Sequence, residues 1–212
     1  MSLQVHTHGP ANPASLVCLI HGYGANGLDL LSLSHEWMNS LPNTLFIAPD
    51  APEICENNPF GFQWFSIENW CEERLRSGAQ SAHPILHQFI KEQMATYNVS
   101  EKDVVVCGFS QGTMMSLYTG LRQKTAFAGI LGYSGALIGV EDLAALDLPK
   151  PPILLIHGEE DDVVPIELMA TTYNALVDMK YDVEAQSLPQ LAHSIDHRGI
   201  EAGRTFLKTV LS

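Results

Sequence analysis

Three groups of residues in this chain have the types, and lie in the order, that acyl chemistry uses. The first is Gly108-Phe109-Ser110-Gln111-Gly112, set between the strand-forming run Val104-Val105-Val106-Cys107 and the helix formers that begin at Thr113. A bare G-x-S-x-G is a weak signal, but a strand before it and a helix after it make the setting of a nucleophile elbow. So sharp a turn strains the serine backbone, and glycines at 108 and 112 let strand and helix approach without side-chain clashes. Ser110 then projects at a helix N-terminus, where backbone N–H groups and the dipole favour a developing negative charge.

A serine hydroxyl needs a base, and in such folds the chain order is nucleophile, acid, histidine. Of nine histidines, His6, His8, His21, His35, His83, His87 and His157 all precede any acid placed beyond the fifth strand. His193 and His197 remain. His193 falls in the loop before the last helix and is the expected base. His197 falls in that helix's first turn, with Ser194 or Asp196 as its cap. The acid should emerge just after a strand, and the run after His157-Gly158 offers Glu159, Glu160, Asp161 and Asp162 in succession. Spacing does not choose among four adjacent carboxylates. Two backbone donors are needed for an oxyanion: Gln111 N–H, after the nucleophile, and Tyr23 N–H, from the loop His21-Gly22-Tyr23-Gly24-Ala25-Asn26-Gly27. His21 and His157, each before a glycine at a strand end, are expected to fix loops by hydrogen bonds rather than to react.

These residues must be held by regular elements. Short apolar runs at 15–20, 44–48, 104–107, 128–133 and 153–156, with a sixth run at 183–188, read as strands, most of them buried on both faces. Between them, helical spacing places Ile85, Leu86, Phe89, Ile90, Met94 and Tyr97 on one stripe within 81–97, with Pro84 near its start. Further helices are expected from about Gln111, over 165–179 from Pro165, and at the C-terminus. Strands alternating with helices imply one α/β domain over 1–212, a mainly parallel twisted sheet with helices on both faces and its chemistry beyond the carboxyl ends of the strands. The stretch 53–77, with Trp64, Phe65 and Trp70, shows no sustained period and reads as a long functional loop. Its exposed aromatics offer a surface for a homodimer contact.

Composition narrows the partners. The chain has 212 residues, 46% hydrophobic and 17% charged, with 24 acidic against 11 basic side chains and a formal net charge of -13. That field repels nucleic acid and anionic membrane surfaces. Cys18, Cys55, Cys71 and Cys107 show neither a C-x-x-C pair nor metal-ligand spacing, and read as free thiols of a reducing compartment. The N-terminus lacks a basic flank and an apolar core, and no apolar run approaches a bilayer's thickness. A complete, cytoplasmic protein without a membrane span is expected.

In combination, His21-Gly22-Tyr23-Gly24-Ala25-Asn26, the Ala48-Pro49-Asp50-Ala51-Pro52 run, Trp64-Phe65, the Ser110 pentad, the 157–165 run and Ala192-His193-Ser194 resemble the phospholipase/carboxylesterase family of small α/β-hydrolases. The likeness covers nearly the whole chain. The resemblance implies Asp161 as the acid, four residues after His157 and four before Pro165, with His193 as base and Tyr23 and Gln111 as oxyanion donors. It further implies hydrolysis of esters or thioesters of linear acyl chains without metal or cofactor, and a substrate-binding flap containing Trp64 and Phe65. Two departures are Thr113, where many members carry glycine, and Asp103, where arginine is common. A silent ligand-binding hydrolase fold is the competing expectation; a thiol-based dienelactone-type hydrolase would need cysteine where Ser110 stands.

Overall fold

Alternation of side chains along the strands explains the layering of the molecule. In the computed structural model, which describes residues 3–68 and 71–212, the chain runs β1 (Val5–His8), β2 (Ser15–Ile20), α1 (Gly27–Leu31), α2 (Ser34–Trp37), β3 (Thr44–Pro49), β4 (Glu53–Cys55) and β5 (Asn58–Gln63). It continues through α3 (Glu72–Tyr97), β6 (Val104–Phe109), α4 (Gln111–Gly120), β7 (Gly129–Tyr133), α5 (Val140–Ala144), β8 (Ile153–Gly158), α6 (Ile166–Asp178), β9 (Val183–Leu188) and α7 (His197–Val210). Among the described residues seven strands form one sheet in the order β1-β3-β2-β6-β7-β8-β9. All neighbours are parallel except β1, which pairs antiparallel with β3 at the edge.

Successive residues of a strand face opposite sides, and the core follows that rule. Leu16, Cys18, Ile20, Val104 and Val106 face α3 and α4, whereas Val17, Leu19, Val105, Cys107 and Leu131 face Trp37 and the Leu207 side of α7. Both faces are covered, so β2, β3, β7 and β8 are buried along their whole length. Strand order reverses between β2 and β6, since β3 lies on one side of that pair and β7 on the other. A crevice therefore opens beyond the carboxyl ends of β2 and β6, the switch point at which such sheets place their sites.

All six expected strands are present, and four differences carry physical reasons. The helix expected over 81–97 starts at Glu72, with Pro84 inside it. Its first turns are polar and show no apolar stripe, and Gly78 lets them pack: a Cβ there would come 2.6 Å from the Phe65 ring. Part of the loop read over 53–77 is a two-stranded antiparallel hairpin of β4 and β5, with a register shift at Ile54/Cys55. Strand β1 and the short helices α1, α2 and α5 are too brief to show a period. Of the aromatics in that loop, Trp64 and Phe65 are buried, at 1% and 4% exposure, so neither offers a dimer surface; Trp70 lies outside the described residues. Phe60, on the hairpin, is exposed at 90%.

Candidate active site

Ser110 sits between β6 and α4 with φ 55 and ψ -120, a conformation that costs a non-glycine residue of the order of 1–3 kcal/mol and persists only where the surroundings impose it. They do so here. Its N–H donates to Tyr133 O at 2.9 Å, and its carbonyl accepts from Thr113 N and Met114 N at 2.9 and 3.2 Å. A side chain at Gly108 would overlap the Gly112 backbone, and one at Gly112 would overlap the Ile20 carbonyl. The two glycines thus allow strand and helix to meet without side-chain clashes.

Thr113, at the start of α4, is accommodated by β6 and β7. Its hydroxyl lies 2.8 Å from Gly108 O and 2.7 Å from Tyr133 O, so it donates to either carbonyl at the base of the elbow. Its methyl occupies space that Gly132 leaves free, where a Cβ would come within 2.6 Å of it.

The second loop of the crevice follows β2. Gly22 comes against the elbow so closely that a Cβ there would be 3.1 Å from Ser110 Cβ. Ala51 N donates to His21 Nε2 at 2.9 Å, which leaves the proton on Nδ1, and that atom donates to Gly22 O at 2.7 Å. Burial depresses the His21 pKa, outweighing the opposite pull of the Gly22 carbonyl and of Asp50 and Asp29. A neutral imidazole is what both hydrogen bonds require. Beyond it, Gly24 N donates to Phe62 O, Phe62 N to Ala25 O, and Asn58 Nδ2 to Gly24 O. Asp50 Oδ1 accepts Gly27 N at 2.8 Å. The Tyr23 phenol turns to the hairpin and donates to Glu56 Oε1 at 2.9 Å.

Of the four adjacent carboxylates, Glu159, Glu160 and Asp162 are exposed and Asp161 is buried. Its Oδ2 lies 2.8 Å from His193 Nδ1, and its Oδ1 accepts Val163 N and Val164 N at 3.0 and 2.8 Å. Burial pushes the Asp161 pKa up, but the His193 hydrogen bond and the two amides together hold it below its ordinary value. The carboxylate stays ionised against its surroundings. His157 stands beneath, its Nε2 2.7 Å from Val164 O and 3.2 Å from Asp161 Oδ2. His193 also packs on Phe109, the residue before Ser110, with ring centroids 4.8 Å apart. His197 is exposed at the start of α7, where Asp196 caps the helix by accepting from Arg198 N and Gly199 N.

One connection was not legible in the sequence. The Gln111 side chain accepts from Trp64 N at 3.0 Å and donates to Phe65 O at 2.8 Å, while the Trp64 indole N–H donates to His21 O at 3.1 Å. Trp64 thus ties the residue after the serine to the loop that carries Tyr23. Its burial leaves it little surface to offer a ligand, and nothing in the residue type separates a buried tryptophan from a pocket-lining one. A recess of about 370 Å³ borders His193, Gly22 and Phe109. A larger one of about 470 Å³, between α3 and Leu3, includes neither Ser110, Asp161 nor His193 in its lining. Among the described residues no three His, Cys, Asp or Glu side chains gather closely enough to hold a metal ion, and no helix is long and apolar enough to cross a membrane.

Comparison with known proteins agrees with this fold. A family model described as phospholipase/carboxylesterase matches residues 5–211. The crystal structure of esterase PE8 superposes with a TM-score of 0.95 at 38% identity, covering 100% of both chains. Acyl-protein thioesterase 1 of Neurospora crassa is 30% identical over 215 residues, covering 93% of this chain and 87% of that protein. Esterase YpfH of Escherichia coli is 25% identical over 193 residues, covering 91% and 82%.

Proposed function

The chain belongs to the phospholipase/carboxylesterase family and is an ester-hydrolysing enzyme of the α/β-hydrolase fold, and we propose that it works through an acyl-enzyme on Ser110, with His193 as general base and Asp161 as its orienting acid. The observation that carries this reading is the 2.8 Å contact between His193 Nδ1 and a fully buried Asp161 oxygen. That contact fixes the imidazole's proton on Nδ1 and leaves Nε2 free to take another.

In the first half-reaction His193 Nε2 removes the Ser110 proton, and Oγ bonds to the acyl carbon. The carbonyl π pair moves to oxygen, which the N–H groups of Tyr23 and Gln111 receive. The intermediate collapses: the bond to the leaving alcohol or thiol breaks, and His193 returns the proton to it. Water then attacks the acyl-serine with the same base, and the acid and free Ser110 are released. The relatives' names support ester and thioester linkages as the substrate class, and linear acyl chains are the acyl groups proposed for it. Asp161 stabilises the imidazolium that forms in each half-reaction without itself becoming protonated.

Ser110→Ala should lower turnover of p-nitrophenyl butyrate by about six orders of magnitude, with loss of the p-nitrophenol burst and of the acyl mass adduct. Asp161→Asn should lower it by about four orders while Asp162→Asn stays near wild type. Equal rates for the two Asn variants would remove Asp161 from the mechanism.

A further inference from the structure

The tetrahedral centre on Ser110 has three other substituents, and the proposed machinery fixes the directions of two. The oxyanion points to Tyr23 and Gln111. The leaving atom must lie within proton-transfer reach of His193 Nε2. The recess of about 370 Å³ borders the base: His193, Ser194 and Ile195 line it together with Gly22 and Ala25 of the loop that carries Tyr23, and Gly22 comes against Ser110, where a Cβ would lie 3.1 Å from the serine Cβ. Its lining contains no residue of the hairpin, of the 161–164 turn or of α6. It therefore borders both the base and the loop that carries Tyr23.

From this placement we infer that the recess is the leaving-group subsite and that it selects compact, apolar alcohols or thiols without negative charge, an inference that rests on the acyl-enzyme reading above. Leu30, Leu33, Phe109 and Ile195 supply apolar surface, and the volume is within the range of small-molecule sites. The lining contains one carboxylate, Asp29, and no lysine or arginine. Asp29 Oδ2 already accepts Asn26 N at 3.1 Å, which anchors the carboxylate at the start of α1. His21, which also lines the recess, is held neutral by burial. An anionic leaving group would therefore enter a pocket with a fixed negative charge, no lysine or arginine in its lining, and a protein of net charge -13 around it.

The test varies the alcohol at constant acyl group. All acetate esters share one acyl-enzyme, so deacylation is common to the series and kcat/KM reports the steps in which the alcohol is present. Methyl, butyl, pentyl and benzyl acetates are compared with 4-acetoxybutanoate, which matches pentyl acetate in length but carries a carboxylate. Each methylene that enters the recess should raise kcat/KM by up to about fourfold, and 4-acetoxybutanoate should fall at least tenfold below pentyl acetate. Ser32→Trp, an exposed position on the rim, should lower the pentyl-to-methyl ratio at least tenfold, and Ile195→Ala should move the preference toward benzyl. Methyl esters of acetate, butyrate and hexanoate, run on the same variants, give the acyl profile. A change in the acyl profile in place of the alcohol profile would assign the recess to the acyl chain and overturn the inference. So would an alcohol profile that is flat in the wild type and unmoved by both variants. Hydrolysis that survives Ser110→Ala would overturn the acyl-enzyme reading instead, and the two failures are thereby distinguished.

Discussion

Replacing Trp64 by phenylalanine should damage catalysis without touching substrate. The indole N–H is the donor to His21 O at 3.1 Å in a site where Trp64 is 1% exposed. Phenylalanine keeps an aromatic ring but leaves that buried carbonyl without its partner, which costs about 1–3 kcal/mol. For a chain of this length about 2 kcal/mol lowers Tm by roughly 4–8 °C. The unpaired carbonyl belongs to the residue two before Tyr23, so the loop that should present the Tyr23 N–H loses one of its restraints. Loss of a whole oxyanion donor costs about 10²–10³ in kcat, and a loosened one should cost less, about 10- to 100-fold. Because an oxyanion donor acts in the transition state, kcat should fall while KM stays within about twofold. Steady-state kinetics on p-nitrophenyl butyrate beside a thermal melt reads all three quantities. A lower Tm with unchanged kcat would reduce Trp64 to a core residue. A raised KM with unchanged kcat would restore it as an acyl-binding side chain.

Other outcomes follow from the same contacts. Gly112→Ala places a Cβ on the Ile20 carbonyl and should destabilise the fold by about 3 kcal/mol, whereas Gly199→Ala meets atoms no closer than 3.4 Å and should be neutral or slightly stabilising; urea midpoints compare them. Stability should fall as pH drops below about 6.5. Burial depresses His21, and burial with the charges of His87 and Arg122 takes His83 to about 4, so the unfolded chain binds more protons in that window. The stabilising contribution of each histidine is thus present above 6.5 and lost toward its folded value. Asp161, also depressed, adds a loss in the same direction at lower pH. Urea midpoints at pH 7.5, 6 and 5 should decline in that order, less steeply in His83→Gln; a midpoint that holds or rises would contradict the assignment. A thiol reagent such as Ellman's should modify Cys71 at once in the folded protein and Cys18, Cys55 and Cys107 only on unfolding; prompt release of more than one equivalent would show the core to be open.

How much was legible beforehand varies with the range of the interaction. The strand runs announced themselves because a parallel strand covered on both faces is apolar throughout, and the elbow because glycine is required where strand and helix nearly touch. His193 was separated from His197 by position alone, since one precedes the helix cap at Asp196 and the other follows it. The four carboxylates were not separable in that way. They are adjacent in the chain and alike in type, and only burial beside His193 distinguishes Asp161 from Glu159, Glu160 and Asp162. The polar start of α3 carries no local signal for a related reason: Gly78 is explained by the Phe65 ring, which lies in another segment.

The sequence by itself therefore determined the α/β architecture, the elbow with its candidate nucleophile, and the order of candidate nucleophile, acid and base along the chain. These are properties of local periodicity, steric demand and succession, which neighbouring residues express without reference to the rest of the molecule. Tertiary structure alone decided that Trp64 and Phe65 turn inward, that the Gln111 amide grips their backbone, and that the indole reaches His21 O. The partners of those bonds are separated by 43 to 47 residues. A residue's type records which bonds it is able to make, and only the packed fold chooses the group that meets it.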